Sequence, residues 1–169
     1  FFNFNSSAHL SSISFYDLKI NSIEGEIIDF KRFKGKKVLI VNVASYCGFT
    51  SQYKALEQLY NDYIDNLVVI GVPCNQFGGQ EPNNEKKIKE FCEKNYGVSF
   101  LLTEKINVKG SNQHILYKWL TDKKLNGILG SSVKWNFQKY IIDENGQLLN
   151  YFLSTTSPTS SKIRSLIEQ

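Results

Sequence analysis

Three cysteines, Cys47, Cys74 and Cys92, are the residues best suited by type to redox or nucleophilic chemistry, and an odd count argues against a fully paired disulfide scaffold. Unpaired thiols fit a reducing, intracellular compartment, cytosolic or organellar. Cys47 stands out by position. It follows the apolar run Lys37–Ala44, written KVLIVNVA, and precedes a segment with helical spacing. Open α/β sheets place their sites beyond the carboxyl ends of strands, and backbone N–H groups at a helix start favour negative charge. A thiol held there is pushed towards thiolate, the form that acts as a nucleophile. The local string Cys47-Gly48-Phe49-Thr50 has Thr where a dithiol oxidoreductase carries its second Cys, which excludes exchange within a Cys-x-x-Cys pair. Taken alone, that string leaves a buried structural thiol and an active-site thiol both open. His9 and His114 have no Cys or carboxylate at ligand spacing, so no metal site is expected.

The elements that must position Cys47 follow from pattern. A hairpin is predicted from Phe15–Ile20 and Glu26–Asp29, turning at Glu24–Gly25. Lys37–Ala44 and Leu67–Pro73 are apolar on both faces, as buried strands are. Between them Ser51–Asp65 carries Tyr53, Leu56, Leu59, Tyr60, Tyr63 and Ile64 on one helical stripe. Two buried strands joined by a helix form a βαβ unit with parallel strands. A Gly/Asn/Pro-rich loop follows at Cys74–Asn83, then a helix from Asn84 to Tyr96 with Ile88, Phe91 and Cys92 inward. A short strand at Ser99–Thr103 and a helix over Asn112–Lys123 come next. Lys134–Ile142 and Gln147–Leu153 pair about an Asn145–Gly146 turn, and a last helix spans Ser157–Ile167 with Pro158 in its first turn. This order specifies an α/β fold with a central mixed sheet flanked by helices and an N-terminal β-hairpin. A thioredoxin-like fold meets it, although the pattern alone leaves flavodoxin-like folds open.

The 169 residues fit one domain over 13–169, preceded by a poorly ordered Asn/Ser/Phe-rich extension over 1–12. The sequence contains no Met, so Phe1 is not a translational start, and a removed presequence stays open. No apolar run reaches the roughly 18 residues of a membrane span. The net charge of +4 is carried by lysines scattered along the chain, with Arg32 and Arg164 the only arginines. Such a distribution fits solvated faces rather than a nucleic-acid surface.

Three strings, in order, narrow the reading. LIVNVASYCGFT at 39–50, PCNQFGGQEP at 73–82 and KWNF at 134–137 resemble the active-site segments of the glutathione peroxidases in their cysteine rather than selenocysteine form. The later hairpin and TTSP at Thr155–Pro158 also fit, and the resemblance extends over residues 13–168. It implies a thioredoxin-like fold and a peroxidase whose catalytic set is Cys47, Gln80, Trp135 and Asn136. Trp135 offers an indole donor, and Gln80 and Asn136 offer amide donors, towards a sulfur and a departing alkoxide. Peroxide attack would leave Cys47 as sulfenic acid, which condenses with another thiol. Relatives that work with thioredoxin carry their resolving cysteine in the segment matching Cys92, so the resemblance assigns that role to Cys92 and leaves Cys74 structural. Cys92 falls on an inward helical stripe, so local unwinding is expected to bring the sulfurs within disulfide reach.

Both arginines lie outside the catalytic strings, and bidentate carboxylate binding suits Arg best. Relatives that use glutathione well tend to place arginines around the site, so the resemblance implies thioredoxin as reductant, with glutathione poorer and no prosthetic cofactor. The segment from Trp119 to Ser131 is short of the loop that tetrameric relatives use, which predicts a monomer with an open site for hydrogen peroxide and bulky lipid or organic hydroperoxides. Two alternatives carry different roles. A redox relay would pass oxidation from Cys47 to a signalling partner, and a non-catalytic thioredoxin-like module would react slowly with peroxide. A Pro/Thr arrangement of the peroxiredoxin type before Cys47 is absent.

Overall fold

A computed structural model describes residues 12–169. Most of the extension expected over 1–12 lies outside the described residues. Two runs of apolar and β-branched residues set the frame. β3 (Lys37–Val43) is buried along its whole length and pairs in parallel with β4 (Leu67–Pro73) from Lys37 opposite Leu67 to Val43 opposite Pro73. β6 (Lys139–Ile142) lies antiparallel on the other side of β3, β7 (Leu148–Phe152) follows it, and the two-residue β5 (Leu101–Leu102) edges β4 in parallel. The sheet order is β5-β4-β3-β6-β7.

Alternation along the central strands splits the core into two layers. Val38, Ile40, Ile70 and Val72 face the antiparallel pair β1 (Lys19–Asn21) and β2 (Ile27–Asp29), together with Leu116, Tyr117, Trp119 and Leu120 of α3 (Ile115–Thr121). Leu39, Val41, Leu67 and Val69 face the opposite layer. That layer holds α1 (Gln52–Asp62) through Tyr53, Leu56 and Leu59, α2 (Glu85–Tyr96) through Ile88 and Cys92, and the last helix (Ser161–Ile167) through Ile163 and Ile167. Among the described residues, no helix is long and apolar enough to cross a membrane.

Several boundaries differ from the expectation, each for a local reason. Phe15–Asp17 is a 3-10 turn capped by the Ser14 side chain, so the hairpin's first strand begins only at Lys19. The predicted helix over Asn112–Lys123 is split. His114 caps α3 through Nδ1, and extended Asp122 ends it and caps a single further turn, Lys123–Asn126, which is α4. The helix expected over Ser51–Asp65 ends at Asp62, which leaves Ile64 exposed, and Phe91 is only partly buried on α2. Lys134–Gln138 is not strand. Pro158 belongs to a turn closed by Ser160 N–H on Ser157 O, and the last helix, α5, starts at Ser161.

Candidate active site

Topology collects the nominated residues at one end of the sheet. The carboxyl ends of parallel β3 and β4 release the loops holding Cys47 and Gln80, and antiparallel β6 enters from the same end, just after Trp135 and Asn136. Cys47 sits half-buried in a turn closed by Thr50 N–H on Cys47 O at 3.0 Å. Buried Thr50 completes that turn, accepting from Cys47 N–H at 2.9 Å and donating to Ala44 O at 2.8 Å. The residue at the second position of a Cys-x-x-Cys pair is thus structural here. The Phe49 N–H donates to Cys47 Sγ at 3.3 Å, a backbone dipole aimed where negative charge gathers.

Gln80 is tied to this turn through its backbone, since Tyr46 N–H donates to Gln80 O at 3.1 Å. Its side chain is oriented by buried Asn136, whose Nδ2 donates to Gln80 Oε1 at 2.9 Å and to Phe77 O at 3.4 Å. With its oxygen engaged, the Gln80 amide presents its N–H groups elsewhere. Asn136 Oδ1 is buried with no hydrogen-bond partner among the described residues. Trp135 is exposed and packs edge-on against Phe77, with centroids 5.7 Å apart. Gly78, at φ +69°, passes close enough that a Cβ would lie 3.3 Å from the Trp135 ring.

The segment carrying Trp135 and Asn136 is held from below by Asn42, a polar residue inside β3. Its Nδ2 donates to Trp135 O at 3.0 Å, its Oδ1 accepts from Gln138 N–H at 3.1 Å, and its backbone oxygen accepts from Phe137 N–H at 2.6 Å. Phe137 has φ +63°, a conformation costing on the order of 1–3 kcal/mol for a non-glycine residue. The Asn42 bonds and the edge contact of the Phe137 ring with Tyr53, 5.3 Å between centroids, hold it there. Buried Lys139 fastens the far side. Its Nζ donates to Gln52 Oε1 at 2.6 Å, Ser154 O at 3.1 Å and Thr156 O at 2.6 Å, while burial pushes its pKa down to about 7.

The other two thiols occupy different layers. Cys74 is buried with the α3 layer, and burial raises its pKa. Cys92 is buried with the α1–α2 layer, against which the half-buried Cys47 also packs. All three are free thiols. Burial pushes the Cys92 thiol up to about 11, with the neighbouring Tyr53 hydroxyl opposing and the Glu81 and Glu93 charges adding to the rise. α2 is well capped, by Asn84 Oδ1 on Lys87 N–H at 3.0 Å and by left-handed Gly97 at its end. Tyr46 and Phe91, the residues just before Cys47 and Cys92, have ring centroids 6.2 Å apart, so the two cysteine segments already touch.

Neither arginine is at the site. Arg164 pairs with Asp62 at 2.9 Å, and Arg32 lies over the Phe33 ring. A cavity of about 390 Å³ between Arg32, Lys36, Tyr60 and Leu101 borders the start of β4, at the other end of the sheet from Gln80.

The family profile described as glutathione peroxidase matches residues 15–121. The chain belongs to the glutathione peroxidase family. Glutathione peroxidase-like peroxiredoxin 2 of Saccharomyces cerevisiae is 50% identical over 160 residues, covering 92% of this chain and 98% of that protein. The glutathione peroxidase homolog BsaA of Bacillus subtilis is 44% identical over 161 residues, 93% of this chain and 100% of that protein. The apo crystal structure of Trgpx superposes with TM-score 0.72 at 41% identity, covering 94% of this chain and 98% of that one. A thiol:disulfide interchange protein of the thioredoxin family from Chlorobium tepidum shares the fold at TM-score 0.65 and 12% identity, over 93% of this chain and 95% of that one. This glutathione peroxidase family member is thus a thioredoxin-fold peroxidase with cysteine at position 47.

Sequence reasoning missed one acid. Glu81 follows Gln80 and is fully buried, with Oε1 accepting from Ser45 Oγ at 2.7 Å and Oε2 unpartnered among the described residues. Burial raises its pKa from the ordinary 4.5 to about 7. Between those values the folded chain holds a proton that the unfolded chain has lost. Stability therefore falls as pH rises from about 4.5 to about 7, and the loss is complete above that. Glu81→Gln should raise stability by about 1–3 kcal/mol at pH 8 and little at pH 4.5, read from denaturant midpoints at both pH values.

Proposed function

We propose that this peroxidase reduces hydrogen peroxide and organic or lipid hydroperoxides through Cys47. The Cys47 thiolate attacks one peroxide oxygen, the O–O bond breaks, and the alkoxide leaves as an alcohol after taking a proton. Cys47 remains as sulfenic acid. The Phe49 N–H on the sulfur and the Gln80 amide oriented by Asn136 are the preorganised donors for that charge movement. In this reading Trp135, whose ring lies with the Gln80 side chain beside Gly78, supplies a further donor.

Cys92 then resolves the sulfenic acid as an intramolecular disulfide with loss of water, and thioredoxin returns the disulfide to two thiols. The observation that carries this reading is that Cys47 and Cys92 pack against one hydrophobic cluster while Cys74 belongs to the other. Cys92 is fully buried inside α2, so resolution needs that helix to open locally. The placement of Arg32 and Arg164 away from the site supports thioredoxin over glutathione, and the cycle uses protein thiols without a prosthetic group. We also propose that it works as a monomer in a reducing compartment.

Peptide mapping after one equivalent of hydrogen peroxide tests the cycle. A Cys47–Cys92 bond is expected, followed by faster steady-state turnover with thioredoxin than with glutathione. A Cys47–Cys74 bond, or faster turnover with glutathione, would sink the respective assignment.

A further inference from the structure

The sheet is incomplete at its β5 edge. β5 pairs only with Ile70 and Gly71, so the first half of β4, Leu67–Val69, has no strand beyond it. The cavity of about 390 Å³ lies in that gap, within the range of about 300–1,000 Å³ that small-molecule sites span. Part of its lining is apolar. Leu67, Val68 and Leu101 come from the sheet, Tyr60 from α1, and Ile64, 48% exposed, from the chain just after that helix.

The rest of the lining is basic. Phe33 ends the 3-10 turn Phe30–Phe33, and Lys36 N–H donates to its backbone oxygen at 3.1 Å, so Arg32, Phe33 and Lys36 reach the cavity from one turn. The Arg32 guanidinium lies 5.2 Å from the centroid of the Phe33 ring, a cation–π contact that holds it at the cavity wall. Neither Arg32 nor Lys36 forms an ion pair among the described residues, and no carboxylate lines the cavity. Glu57, bound to the lining residue Ser99, is engaged by the Ser99 N–H on Oε2 at 2.9 Å and by the Ser99 hydroxyl on Oε1.

We propose that this cavity binds a free fatty-acid anion, with its carboxylate on Arg32 and Lys36 and its acyl chain against Tyr60, Ile64, Leu67 and Leu101. Two cations without a counter-charge suit an anion, and the guanidinium fork suits a carboxylate. The apolar lining asks for a tail as well. A short anion would leave Ile64 and Leu101 in water, and a neutral alkyl chain would leave both cations unanswered. An extended peptide continuing β5 fits less well, because it would meet Ser99 on the chain's own approach to that strand. The cavity borders the start of β4, at the other end of the sheet from Gln80, so the site stands apart from the peroxidase cycle.

Titration of the whole chain with dodecanoate labelled at its carboxyl carbon, below its micelle concentration, tests the site by carbon and amide NMR. One saturable site is expected, with amide shifts at Arg32, Lys36, Ile64 and Leu101 rather than around Cys47 and Trp135. The double variant Arg32→Gln with Lys36→Gln should bind at least about tenfold more weakly. Both side chains are exposed, so its fold and peroxide turnover should be unchanged. Dodecanol, which lacks the charge, and hexanoate, which lacks the length, should each bind at least about tenfold more weakly than dodecanoate. Absence of saturable binding, shifts centred on Cys47, or undiminished binding by the double variant or by dodecanol would each overturn the proposal. Equimolar phosphatidylcholine and phosphatidylglycerol vesicles provide the last arm. If they shift the cavity amides and free dodecanoate does not, the face meets a bilayer and the proposal falls.

Discussion

Changing Cys47 to Ser should lower peroxide consumption by at least about a thousandfold. A serine hydroxyl stays protonated near pH 7 and lacks the polarisable sulfur that takes oxygen from a peroxide. The fold should persist, because Cys47 is half-buried and its turn is closed by backbone bonds and Thr50 rather than by its sulfur. Consumption of hydrogen peroxide with excess thioredoxin, beside near-ultraviolet circular dichroism as a folding control, gives the measurement. A variant retaining a tenth or more of the wild-type rate would remove Cys47 from the chemistry.

Cys92→Ser should separate the two halves of the cycle. One equivalent of peroxide should still react at the wild-type rate, leaving a sulfenic acid that a dimedone-type reagent captures. Thioredoxin-driven turnover should fall by about a hundredfold, since the disulfide that thioredoxin reduces can no longer form. Cys74→Ser should turn over normally, because Cys74 is buried in the other layer with its sulfur beside Gln76. Equal turnover in Cys92→Ser and the wild type would mean that thioredoxin reads the sulfenic acid directly. The substituted hydroxyl sits where the thiol is fully buried, so a modest loss of stability is expected and should be measured alongside.

What could be read from the sequence was what strand periodicity and local turn chemistry control. β3 and β4 are continuous apolar runs, and their bounds match the pattern to within a residue. Asn84 and Gly97 bracket α2 as a cap pair should. Where long-range contacts decide, the pattern misleads. Residues 134–138 alternate like a strand, but Asn42 holds them in an irregular path with Phe137 left-handed, and nothing local in KWNF encodes that. A signal did exist in Asn42 itself, a polar side chain in a strand buried on both faces, which has to find partners. Glu81 gave no such signal. An acid between Gln80 and Pro82 in a Gly-rich loop has the composition of a solvated turn, and only the folding of that loop over Ser45 buries it.

The setting of Cys92, enclosed in a helix capped at both ends, also bears on tolerance of excess oxidant. On the proposed cycle, disulfide closure is a unimolecular event whose rate is set by helix opening and does not depend on peroxide. A second peroxide can meanwhile oxidise the Cys47 sulfenic acid to sulfinic acid at a rate that grows with dose. The firmness of α2 therefore defines a threshold concentration above which the enzyme is inactivated by its own substrate. Loosening either cap would raise that threshold.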